Sequence, residues 1–128
     1  MKHQEGFSAV ELLITLFIAA IFIATGFQLY SVVLKNGTDA NQRSIASGIA
    51  YENLRRYVPQ VTNPCTSIAP NPAPSIPANS GLSNPSITVT LDCPYGSGGN
   101  GGLVGRVYVS VKYGNPQQEV VHAIYVNN

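Results

Sequence analysis

The sequence predicts an α+β protein: one long N-terminal α-helix, membrane-spanning in its first half and amphipathic in its second, packed on a small three-stranded antiparallel β-sheet. Three observations predict it. From Phe7 to Leu34 the chain is apolar apart from scattered Thr, Ser and Gln and a single acid, Glu11. From Lys35 to Val58 no proline interrupts the chain, whereas seven prolines stand between Pro59 and Pro85. From Ser86 onward, three strand-like apolar runs are separated by Gly- and Asn-containing turns.

Residues 7–34 rise about 1.5 Å each as a helix, enough to cross a hydrocarbon core of roughly 30 Å with several residues to spare. A secretory signal peptide is the competing reading, and it fails on order and length. Its apolar core runs only about 7 to 15 residues and ends at a small-residue cleavage site followed by polar chain. Here the polar-to-apolar junction with a small residue precedes the apolar run, at Gly6-Phe7. A cut there keeps the helix and makes Glu11 the fifth residue of the processed chain, close to a new amine on Phe7. A carboxylate inside a membrane span costs roughly 2.5 to 3.5 kcal/mol on insertion scales, so a partner is expected. The alternative places Glu11 at the headgroup interface near a helix N-terminus, where the dipole favours an acid.

The run Gly6-Phe7-Ser8-Ala9-Val10-Glu11-Leu12-Leu13 resembles the processing and methylation motif of type IV pilins and of the pseudopilins of secretion and DNA-uptake machines. In that family a membrane peptidase cuts after the glycine on the cytoplasmic side and methylates the new N-terminal residue. The resemblance implies a cleaved leader, residues 1–6, with Gly6 as the cleavage residue and Phe7 as the methylated N-terminus. It implies that Glu11 neutralises a neighbouring subunit's terminal amine during assembly. The motif combines a cleavable glycine, a Phe, an acid at a fixed offset and a following apolar run. It covers about the first quarter of the chain, and the remainder can match only in architecture. Many pilins carry a proline in the second half of this helix; here there is none, and Gly26 is the intrinsic weak point.

Charged residues make up 10% of the chain, low for a wholly soluble protein, and 128 residues point to one domain. Without the leader, six Lys or Arg face five acids, a net +1 that by itself implies no acidic or nucleic-acid partner. Lys2 and His3 precede the span and Lys35 follows it, so orientation rests on the motif.

Residues 35–128 form the expected exported head. The helix should continue over 35–58, with Ala46, Ile49, Ala50, Leu54, Tyr57 and Val58 on one arc and Ser44, Gly48, Glu52 and Arg55 opposite. Glu52 and Arg56 are spaced i,i+4, Gly37 and Gly48 weaken the helix, and Pro59 ends it. Residues 59–85 read as a rigid Pro-rich surface connector, with polyproline recognition by a partner as the competing reading. Cys65 and Cys93 are the only cysteines. In a cytosolic protein they would mean little, but on the far side of a membrane they are expected to form a disulfide that ties this loop down.

The sheet should occupy 86–126. Ile87, Val89 and Leu91 line one face of Ser86 to Asp92; Val107, Val109 and Val111 line one face of Val104 to Tyr113; Glu119 to Val126 is apolar on both. A meander is the economical topology, with a mobile Gly-rich loop from Pro94 to Gly102 and a tighter turn at Gly114-Asn115-Pro116. The central strand's other face carries Arg106, Tyr108, Ser110 and Lys112. Tyr108 reads first as one of a cross-strand surface pair, and otherwise as a contact aromatic or ligand platform.

Little in the sequence points to chemistry. His122 is the only histidine outside the leader, which leaves no His-based metal site and no Ser-His-acid triad; it is expected to pack or bond on the sheet. No phosphate loop or paired-carboxylate motif occurs, and no cofactor is implied. Asn36-Gly37-Thr38 fits a glycosylation acceptor, a pattern that often matches by chance. Arg43, Arg55 and Arg56, repeated along a filament, could contact DNA phosphates, although Glu52 sits among them.

The function expected from the resemblance is therefore that of a non-enzymatic structural subunit. It would be held in the membrane before assembly and processed by a prepilin peptidase. The pilus assembly machinery would then polymerise it through its apolar helix into a helical homo-oligomeric surface filament for motility, adhesion, secretion or DNA uptake. The alternative is a signal-anchored monomer that displays a small β binding domain.

Overall fold

Helix α1 runs over Ala9–Tyr57, 49 residues without a break, in a computed structural model that describes residues 8–96 and 102–127. It continues through Gly26, Gly37 and Gly48, because the proline-free sequence leaves every turn its donor. The helix ends one residue earlier than the pattern suggested. Val58–Gln60 tightens into a 3₁₀ turn carrying Pro59, whose missing N–H cannot extend the α-helical ladder.

The chain divides into two units, residues up to Asp39 and residues 40–128. In the first, every described residue from Ser8 to Thr38 is exposed, so this part of α1 has no core of its own.

The second unit is an α+β layer. Strands β1 (Ser86–Asp92), β2 (Val104–Tyr113) and β3 (Gln118–Asn127) pair antiparallel in the order β1-β2-β3. The register sets Val89 opposite Val109 and Leu91 opposite Val107, while Val109 faces His122 across β3. Ala46, Ala50, Leu54 and Tyr57 of α1 form one core cluster with Val89, Leu91, Val107, Val109, Val111 and Tyr113. Two alanines a turn apart let the helix lie close to the sheet, and each fully buried Val stabilises the unit by about 1.5 to 3 kcal/mol. The expected arc of α1 is the buried one, and Ser44, Gly48, Glu52 and Arg55 are exposed as expected.

Residues 59–85 contain no helix or strand beyond the end of the 3₁₀ turn, yet they are laced to the head. Tyr57 Oη donates to Pro72 O at 2.7 Å, and the Gln60 carboxamide clamps the Asn71 backbone, donating to its O and accepting from its N–H. Ser67 Oγ donates to Leu91 O at 3.1 Å beside a bridge between Ile68 and Leu91. Ile76 and Leu82 pack on the core, and Ser83 O accepts from Gly114 N–H. The loop thus covers the outer edge of β1.

Three expectations need correction. Strand β3 extends one residue further at each end than the alternation indicated, because it pairs with β2 over its full length. Its apolar residues stand on both faces, yet none of them is buried: Val121, Ile124 and Tyr125 are 45%, 39% and 57% exposed. Its contribution to the core is limited to the partly buried Val120 and Val126. His122 bonds not within the sheet but to α1, its Nε2 lying 3.0 Å from Ser47 Oγ, with the donor set by the ring tautomer. The turn at Gly114-Asn115-Pro116 is present, with Gly114 at φ +85° where a side chain would be strained. Of the Gly-rich connection, residues 97–101 lie outside the described residues.

Candidate assembly surface

Gly6 and Phe7, the expected cleavage and methylation residues, lie outside the described residues. The description begins at Ser8, which caps α1. Glu11 N–H donates to Ser8 Oγ at 3.2 Å, and Leu12 N–H donates to Ser8 O at 3.1 Å. Ser8-Ala9-Val10-Glu11 therefore follows the Ser-x-x-Glu capping pattern, with Glu11 in the first turn at the positive end of the helix dipole. The signal for Ser8 as a cap is the Ser-x-x-Glu spacing itself.

Beyond the cap, α1 presents bulky apolar side chains on every side. Phe17, Phe22, Ile23 and Phe27 are each at least 66% exposed, as are Val10 and Leu13. The hydroxyls in this stretch are turned inward. Thr15 donates to Glu11 O and Leu12 O, Thr25 to Ile21 O and Phe22 O, Ser31 to Gln28 O and Thr38 to Leu34 O, all at 2.8–3.1 Å. Those bonds leave the hydroxyls satisfied without water, the condition an apolar solvent imposes. Glu11, Gln28 and Tyr30 are then the side chains from Ala9 to Leu34 whose polar groups need an outside partner. The helix is long and apolar enough to cross a membrane.

In the head, Cys65 and Cys93 form the expected disulfide, with Cα atoms 5.9 Å apart. It joins the start of the Pro-rich loop to the residue after β1. Gly105 on β2 lies beneath this junction: a Cβ there would overlap Val61 Cγ1 and stand 3.4 Å from Cys65 Sγ. That close approach is not legible in the sequence, because it is set by how the loop returns over the sheet.

Arg43, Arg55 and Arg56 are exposed, and Arg56 pairs loosely with Glu52 at 3.9 Å. Asn53 lies inside the buried arc, 6% exposed; its Nδ2 donates to Ile49 O at 2.8 Å while Oδ1 is buried without a hydrogen-bond partner among the described residues. Its angular position predicted burial, but its polarity hid it. Arg106, singled out only as an outward residue, makes a two-point ion pair with Asp92, directly opposite it on β1. The hydrogen bond and charge of Asp92, with a smaller contribution from Tyr125, hold the guanidinium pKa above its ordinary value. Arg106 Cζ also lies 5.9 Å from the Tyr108 ring centroid, so Tyr108 has its own strand's arginine over its ring. Among the described residues, no group of three or more His, Cys, Asp or Glu is placed to hold a metal ion.

Compared with known proteins, the chain matches no family model, no curated protein and no solved structure.

Proposed function

We propose that this chain is a structural subunit of a type IV pilus or pilus-like filament, cleaved between Gly6 and Phe7 and polymerised through the first half of α1. The observation that carries this reading is the exposed apolar helix of the first unit, with the hydroxyls of Thr15, Thr25 and Ser31 bonded to its own backbone. Such a surface is stable in lipid or against copies of itself, and a filament subunit uses both in turn: the membrane before assembly, a helix bundle after it. In the bundle, Glu11 would meet the terminal amine of another copy, since an unpaired buried charge costs several kcal/mol. A prepilin peptidase and an assembly machinery are the partners this reading requires. Contact between DNA and Arg43, Arg55 and Arg56 is a minor extension of it. No catalytic step is assigned to the chain.

The second reading is a signal-anchored monomer displaying the head as a binding domain. The place of Glu11 in the first turn favours it, because the positive end of the helix dipole gives the carboxylate a role within its own helix. Mass spectrometry of the N-terminus in sheared surface material separates the two. The filament reading expects a methylated chain starting at Phe7; a chain starting at Met1, or one found only in membranes, rejects it. A bulky residue in place of Gly6 should leave an unprocessed, membrane-held precursor.

A further inference from the structure

The face of the sheet turned away from α1 has a composition that the filament reading does not use. Val107, Val109 and Val111 of β2 point into the core, so Arg106, Tyr108, Ser110 and Lys112 lie on the opposite face. The register brings Thr90 and Ala123 beside Tyr108, and Asp92 and Tyr125 beside Arg106. The result is a shallow platform: small neighbours on either side of Tyr108, and Tyr125 diagonal to it and 57% exposed. Arg106 braces the platform through its bonds to Asp92 and its position 5.9 Å from the centre of the Tyr108 ring.

The charges on this face balance. Arg106 is bonded to Asp92, and Lys112 stands opposite Glu119, whose carboxylate accepts from Ser110 Oγ. A polyanion such as a nucleic acid therefore meets no net positive field. An apolar protein surface would have to bury the exposed Thr88 and Thr90 hydroxyls and the ion pair without new partners, at a cost for each. What matches the face is an uncharged ligand that combines a flat apolar ring side with a rim of hydroxyls.

We propose that this sheet face, centred on Tyr108 and Tyr125, binds neutral carbohydrate. The C–H face of a pyranose stacks on the Tyr125 ring, beside Tyr108 and the Arg106 guanidinium that lies over it. The sugar hydroxyls donate to the Asp92 carboxylate and accept from the Arg106 guanidinium, as charge-assisted hydrogen bonds. The site lies on β1, β2 and β3 and operates in a single chain as well as in a fibre, so it stands or falls separately from polymerisation.

The test uses the full-length chain in detergent micelles, sedimented with insoluble cellulose, chitin or amylose resin. The expected result is retention on at least one resin, displaced by the matching soluble oligosaccharide and unchanged at about 0.5 M salt, where interactions between exposed charges are screened. Tyr125→Ala should bind roughly tenfold more weakly, the scale of one lost aromatic stacking contact. Tyr125→Leu, which keeps apolar bulk on an exposed edge position, should be as weak as Tyr125→Ala, and Tyr125→Trp should bind at least as well as the parent. Tyr51→Ala, which removes an exposed tyrosine on α1, should change nothing. Retention on none of the resins, loss of retention in salt, or parent-like binding by Tyr125→Ala or Tyr125→Leu overturns the proposal.

Discussion

Glu11 shows how one side chain can carry two explanations that act at different moments. As the third residue of α1 it completes a Ser-x-x-Glu pattern, with Ser8 Oγ accepting its backbone N–H. As a carboxylate ahead of an apolar run it needs an outside partner once water is excluded. Glutamine separates the roles, because it preserves a capping pattern and removes the charge. Glu11→Gln and Glu11→Leu should both be inserted and cleaved, and both should assemble poorly, with Glu11→Asp intermediate. If Glu11→Gln built filaments in normal yield while Glu11→Leu did not, the cap would be the operative role and intersubunit pairing would be wrong. Asn53 is the reverse case, a polar residue where the arc of α1 calls for an apolar one. Its buried Oδ1 has no partner, so Asn53→Leu should stabilise the head by about 1 kcal/mol, while Asn53→Asp, which buries a charge there, should destabilise it by several. Thermal unfolding of the head signal by circular dichroism measures both.

At the scale of elements, the contrast lies between the two sheet edges. The outer edge of β1 is covered by the Pro-rich loop through Ser67 and Ile68, and Cys65 bonds covalently to Cys93 just past its end. Strand β3 has only β2 beside it in the sheet. Replacing both Cys65 and Cys93 by alanine frees a loop with a sequence separation of 28 residues, and should cost about 3 to 4 kcal/mol in the chain-entropy model. Native-state hydrogen exchange should then show the loss first in residues 61–76 and β1, with β2 protected longest. Uniform loss across the sheet would mean that the loop is held by packing rather than by the disulfide. Gly105→Ala probes the same junction from below. A methyl group there must displace Val61, an overpacking that typically costs about 1 to 3 kcal/mol. Val61→Ala in the same chain should restore part of that loss, which chemical denaturation of the single and double variants would measure.

At the scale of the molecule, residues up to Asp39 offer apolar surface without a core, and residues 40–128 form a core of their own. The full chain should therefore remain with the membrane pellet through an alkaline carbonate wash; release into the wash would exclude a membrane-held state. The sequence by itself determined the class of this protein. An unbroken apolar run, a proline-free continuation, a burst of prolines and three alternating runs each impose local structure through backbone sterics and side-chain periodicity, which need no distant contact. For the same reason the arc of α1 that becomes buried was readable, whereas the Cys65–Cys93 disulfide was expected only from the placement of this part beyond a membrane. The low burial of β3 was not readable, because a strand's alternation reveals its faces but not what packs on them. Nor was the burial of Asn53, the close approach over Gly105, or the pairing of Arg106 with Asp92 and Tyr108. Those depend on register and on where a returning loop crosses the sheet, quantities decided by the packing of residues far apart in the chain, and only the tertiary structure supplies them.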